Sequence, residues 1–149
     1  MEIGYRVKWA GRFTILALVL SGCSQSFEAA DATNAEAVAQ GKILYAQNCA
    51  ACHGQNLEGQ PHWKSIKADG TLPAPPHNDE GHTWHHADTL LFDYTKNGGA
   101  SIAPEGFKSA MPAFSPPMSD SDIWATLSFI KSQWSPKAQA RQARMNPKP

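Results

Sequence analysis

Cys49-Ala50-Ala51-Cys52-His53 constrains this chain more than any other stretch. It reads C-x-x-C-H, the spacing used for covalent attachment of a c-type haem. Near a helix end, this spacing puts both sulfurs on one side of the backbone. The histidine that follows then sits under the macrocycle, where its neutral imidazole can bind iron. Two other chemistries use a C-x-x-C pair. Zinc needs a second Cys or His pair at regular spacing, and the only other cysteine, Cys23, lies in an apolar leader. A thioredoxin-like redox pair needs a β-α-β setting, and no such pattern surrounds the motif. The stretch therefore predicts one covalent haem c, attached at Cys49 and Cys52 with His53 on the iron.

At 149 residues, one folded domain is the expectation. The leader lies outside it. Arg6, Lys8 and Arg12 form a charged n-region, and Phe13 to Leu20 is an apolar run too short to span a bilayer as a mature helix. It ends in Leu20-Ser21-Gly22-Cys23, which resembles the lipobox of bacterial lipoproteins. That resemblance implies a signal peptide over residues 1–22 and lipidation of Cys23. Several acyl chains on one residue anchor a protein stably, at about 0.8 kcal/mol per buried methylene. The expected location is the bacterial cell envelope, on a membrane and facing the periplasm or the outside.

Without residues 1–22, the chain carries 10 basic and 12 acidic residues, a net charge of −2. The distribution matters more than the sum. Lys137, Arg141, Arg144 and Lys148 lie in residues 136–149 with no acid, so the remainder is −6. Nucleic-acid binding would require a basic face on the folded domain, and nothing here suggests one.

Residues 23–34 are small and polar and read as a flexible tether. The first helix is expected to start at Thr33 as N-cap, with Glu36 at capping-box spacing. Val38, Ala39, Leu44 and Tyr45 form its loose apolar face. Gly41 inside that helix costs roughly 1 kcal/mol relative to Ala, which predicts a close-packing role. From Gly54 to His86 there is no periodicity, and Pro61, Pro73, Pro75 and Pro76 break the stretch. So long a loop suits a compact domain only if it wraps a large apolar cofactor. Asp88 is expected to cap a short helix, Thr89 to Asn97, with Leu90, Leu91 and Tyr94 inward and Gly98-Gly99 stopping it. The last helix opens on Ser119 as N-cap and Asp122 at N3, with Met118 and Ile123 as a hydrophobic staple. Ile123, Leu127, Ile130 and Trp134 share one stripe, and Ser135-Pro136 ends the helix.

Taken together, these segments resemble the monohaem class I cytochromes c of bacteria over residues 35–135. The resemblance rests on Cys49-Ala50-Ala51-Cys52-His53-Gly54, on Lys108-Ser109-Ala110-Met111-Pro112-Ala113-Phe114, and on the helix Asp122 to Ile130. It implies an all-α fold of short helices and long loops wrapped around one haem. In that family the first and last helices cross near a glycine and an aromatic, positions that Gly41 and Phe129 match. It also implies that His53 donates its second ring nitrogen to a backbone carbonyl, with Pro61 as the expected provider. Residues 136–149 follow as a basic tail, in which Lys137, Arg141 and Arg144 would share one face if helical.

For the sixth iron position the candidates are Met111, Met118, Met145 and five histidines. Met111 lies in the matching Met-Pro-Ala-Phe segment, where Pro112 biases it to an extended backbone. Met118 is already accounted for by the staple, and Met145 lies in the polar tail. Met111 is the expected ligand, with a histidine as the alternative. A Met/His pair raises the reduction potential, which suits a carrier between quinol-linked donors and an oxidase. Coordination closed on both faces argues against catalysis. His77, His82, His85 and His86 have two readings: hydrogen bonds to backbone or haem propionates with Trp84 at the haem edge, or a copper or zinc site built on the His82/His86 spacing.

The expected function is one-electron transfer between respiratory redox partners by a membrane-anchored protein. The rivals are a cytochrome subunit of a larger oxidase or dehydrogenase, a haem-based sensor or peroxidase with an open sixth position, and a copper-handling protein.

Overall fold

The computed structural model describes Met1 and residues 25–146. Cys23 and the expected signal peptide (apart from Met1) lie outside the described residues. Among the described residues six α-helices occur in order, α1 (Ala35–Asn48), α2 (Ala50–His53), α3 (Asp88–Asn97), α4 (Gly99–Ile102), α5 (Asp120–Ser132) and α6 (Pro136–Ala143), with a short 3-10 helix at Thr83–His85 before α3. Among the described residues there is no β-strand, and the one extended pairing is an isolated parallel bridge between Thr71 and Lys108. The fold is all-α, as expected. No helix among the described residues is long and apolar enough to cross a membrane.

The centre of the molecule is the crossing of α1 and α5. A Cβ added at Gly41 would collide with the Ala125 carbonyl and touch Phe129. The two backbones therefore approach as closely as a missing side chain allows, and that contact offsets the helix cost of glycine. Tyr45, Ile123, Leu127, Phe129, Ile130 and Trp134 bury around the crossing. Helix α5 begins as expected: Ser119 accepts from the Asp122 amide while the Asp122 carboxylate accepts from the Ser119 amide, with Met118 and Ile123 both buried. Helix α3 leans on α5 through Phe92, whose ring stacks on Trp124 at 4.2 Å.

Two expected caps are displaced. The cap of α1 is Asn34, whose side chain accepts from the Glu36 and Ala37 amides. Thr33 lies one residue earlier, in a turn where its amide and hydroxyl both donate to Asp31 Oδ1, at 2.8 and 2.7 Å. Asp88 likewise does not cap α3. It is the first helical residue, and Ala87 precedes it with no side-chain bond. Its carboxylate instead accepts from Lys131 Nζ at 2.7 Å, Gln142 Nε2 at 2.7 Å and Asn146 Nδ2 at 2.9 Å. Leu90, expected inward, is 41% exposed, and the buried polar position of that helix is Thr95.

Both flanks of the expected domain are packed onto it. Phe27 and Ala30 are buried. The amides of Phe27 and Asp31 donate to Ser121 Oγ and Ser128 Oγ, laying this segment along α5. After Trp134, Ser135 caps a new helix by accepting from the Ala138 amide, and Pro136 occupies its first turn. Helix α6 buries Ala138 and Gln142. Its apolar content is low, so the helix is held by the polar side of Gln142 and by Asp88 more than by an apolar stripe.

Candidate haem centre

The C-x-x-C-H motif forms the end of α1 and the whole of α2. Cys49 joins the two helices, and its amide still donates to the Tyr45 carbonyl at 2.8 Å. Cys49 is buried, Cys52 is exposed, and both are free thiols. Burial, with the neighbouring Cys52 adding to it, pushes the Cys49 thiol up to about 12. Among the described residues no group of three or more His, Cys, Asp or Glu side chains could hold a metal ion. The absence of a β-α-β setting among them removes the thioredoxin alternative.

His53 is buried with its Nδ1 2.8 Å from the Pro75 carbonyl. An imidazole that donates from Nδ1 keeps Nε2 as the free lone pair for a metal. Burial lowers the pKa of His53 from its ordinary value, against the opposing pull of the Pro75 carbonyl, which favours the neutral, ligating form. Pro75 corrects the expectation of Pro61, which lies on an exposed turn. The loop folds back so that the Gly59 amide reaches the His53 carbonyl and the Gln60 amide reaches the Ala74 carbonyl, placing Pro75 beside the imidazole. The choice between prolines was set by this pairing and not by loop length.

One further residue belongs to the site. The His77 ring stacks on His53 at 3.9 Å with 28° between planes. Its Nδ1 lies 2.9 Å from Thr83 Oγ1, and burial drives its pKa well below the ordinary value. A ring stacked face to face on His53 lies on the same side of any metal that His53 binds. That placement argues against His77 as the second ligand of an iron held by His53. Tyr45 presses its ring edge on His77 and donates from its hydroxyl to the Gly54 carbonyl at 2.9 Å.

Met111 lies on the loop between α4 and α5. Its amide donates to Ser109 Oγ at 3.2 Å and its carbonyl accepts from the Gly99 amide at 3.1 Å. Downstream, the Phe114 and Ser115 amides donate to the Thr95 and Lys96 carbonyls. Gly98 makes this docking possible: its φ is +80°, and a Cβ there would strike the Pro112-Ala113 backbone. The methionine is thus presented by a segment fixed at both ends. Met118 is buried in the core beside Ile123, and Met145 is exposed.

The remaining loop histidines form no closed set. His82 stacks on Trp63 at 5.5 Å and meets His86 edge-on at 5.4 Å. Trp84 lies against His85 at 3.9 Å, with the Arg141 guanidinium 5.2 Å from its ring. Two thiols on one turn, an imidazole with a free Nε2 and a buried aromatic surround fit a covalently attached haem.

The cytochrome c family model matches residues 38–134. Two relatives are named Cbb3-type cytochrome c oxidase subunit CcoP. The one from Azospirillum brasilense is 32% identical over 98 residues, and the one from Azospirillum sp. (strain B510) is 33% identical over 99 residues. Each alignment takes in 66% of this chain and 29% of the relative, so the chain spans under a third of the relatives' length. No solved structure gives a significant match.

Proposed function

The chain belongs to the cytochrome c family, with a covalently bound haem c, and on that premise we propose that it is a membrane-anchored electron carrier with His53 and Met111 on the iron. The observation that carries this reading is the His53 imidazole, fixed at Nδ1 by Pro75 and free at Nε2 beside Cys49 and Cys52. The bound group supplies a one-electron iron couple. The chain's own residues hold it, orient it and keep water away. Cys49 and Cys52 are the attachment points. Met111, carried on the segment that Gly98 and Gly99 seat, would offer its thioether as the second ligand. Ligation by both residues would leave no position for substrate, which suits a carrier and not an enzyme.

Cys23 is proposed as the lipid-bearing residue that holds the domain at the membrane of the cell envelope. Tethering in a plane raises the effective concentration of partners held there. The relatives favour a second reading at the level of assembly. Both are oxidase subunits, so a terminal oxidase is a candidate acceptor, or this chain a subunit of one.

The ligation is tested with Met111→Leu in the haem-loaded chain. The oxidised native protein is expected to show a methionine–iron charge-transfer band in the far red, and the variant to lose it and fall in reduction potential. A band that survives in Met111→Leu would exclude Met111.

A further inference from the structure

We infer that His77 is the positioning residue that sets the ring plane of His53, an inference that rests on His53 binding iron. A single hydrogen bond from Nδ1 to the Pro75 carbonyl fixes the edge of the imidazole but has a broad angular well, so the ring can still rock about that bond. A flat ring packed against its face removes the freedom. His77 supplies that ring at 3.9 Å and 28°.

His77 is itself held from every side. Its amide donates to the Leu57 carbonyl at 2.8 Å, and its carbonyl accepts from Trp134 Nε1 at 2.7 Å. The buried Thr83 hydroxyl meets its Nδ1 at 2.9 Å. Tyr45 stands edge-on to it, with ring centroids 6.3 Å apart, and Tyr45 in turn packs on Phe129 at 5.4 Å. A continuous column of rings thus runs from the α1–α5 crossing through Phe129, Tyr45 and His77 to His53. The close backbone contact of α1 with α5 is coupled in this way to the orientation of the proposed iron ligand. Axial ligand orientation affects how the iron's unpaired electron is distributed, so it is visible spectroscopically even where the fold is unchanged.

The test uses the full, haem-loaded chain in its oxidised state, read by proton NMR and EPR, with melting temperature as a control. In the native protein, hyperfine-shifted His53 ring protons establish that His53 is on the iron. Their absence would remove the ligation reading itself, and this inference with it. Given those signals, His77→Leu, which loses the flat ring, is expected to change the pattern of haem methyl shifts and the EPR g values. His77→Phe, which keeps a flat ring, is expected to retain the native pattern. A folded His77→Leu with the native pattern would overturn the inference. Should that variant fail to fold, Thr83→Val removes only the hydroxyl that holds the ring. A smaller change in the same direction is then expected, and no change would overturn it.

Discussion

His53 is suited to bind iron because of what its neighbours do to one ring. Pro75 takes the proton side, burial keeps the ring neutral, and His77 covers one face. The sequence identified the ring but not its supports. C-x-x-C-H names His53 without reference to the rest of the chain, whereas Pro75 and His77 reach it through a turn whose pairing depends on Gly59 and Gln60. Nothing in local spacing distinguishes Pro75 from Pro61. The other loop histidines carry a pH consequence. Burial, before any neighbouring charge, lowers the pKa of both His82 and His86 below the ordinary value of about 6.5. The unfolded chain therefore binds more protons than the folded one as pH falls through that value. Stability is complete above it and declines below it, levelling off once both states are protonated. Denaturant midpoints measured at about pH 7.5 and about pH 5.5 should fall with acidification, and His82→Gln/His86→Gln should lose less than the native chain. An equal loss in the double variant would place the effect elsewhere.

At the scale of elements, the helices with strong end chemistry were legible and those set by distant partners were not. Ser119, Asp122, Met118 and Ile123 state the start of α5 within six residues, and the structure follows them. Gly41 announced a close contact, and the partner proved to be Ala125 with Phe129 beside it. By contrast, Asp88 looks like a helix cap because caps are local, yet its carboxylate is taken by Lys131, Gln142 and Asn146, 43 to 58 residues away. The Gly41 crossing has a direct test. Gly41→Val inserts a branched side chain where a Cβ already meets the Ala125 backbone, which cannot give way as a side-chain tip would. A loss of about 1–3 kcal/mol or more is expected in thermal or denaturant unfolding. A change near zero would mean that the helices cross elsewhere.

Across the whole molecule, the ties of both flanks of the family-matched region meet at the Lys131–Asp88 pair. Lys131 Nζ donates to the Ala30 carbonyl at 3.0 Å and to the Asp88 carboxylate, which also receives Gln142 of α6. Its pair with Asp88 is largely enclosed, the side chains 13% and 19% exposed. Lys131→Met should cost about 2–4 kcal/mol, because it leaves the enclosed carboxylate without its cation. Limited proteolysis should then cut first at the two ends of the described chain, before the α1–α5 core. The ties to the N-terminal flank join positions about 100 residues apart and those around Asp88 join positions 43 to 58 apart, so no reading of local pattern could have found them. The tightly held frame also bears on function, since a carrier needs its iron closed on both sides and its ligands fixed through many redox cycles. The most direct test of that account is exposure of the reduced, haem-loaded protein to carbon monoxide, followed by optical spectroscopy. An unchanged spectrum is predicted, because the proposed ligands His53 and Met111 would leave no open position on the iron. Rapid formation of a carbon monoxide complex by the native protein would contradict it and favour a sensor or peroxidase.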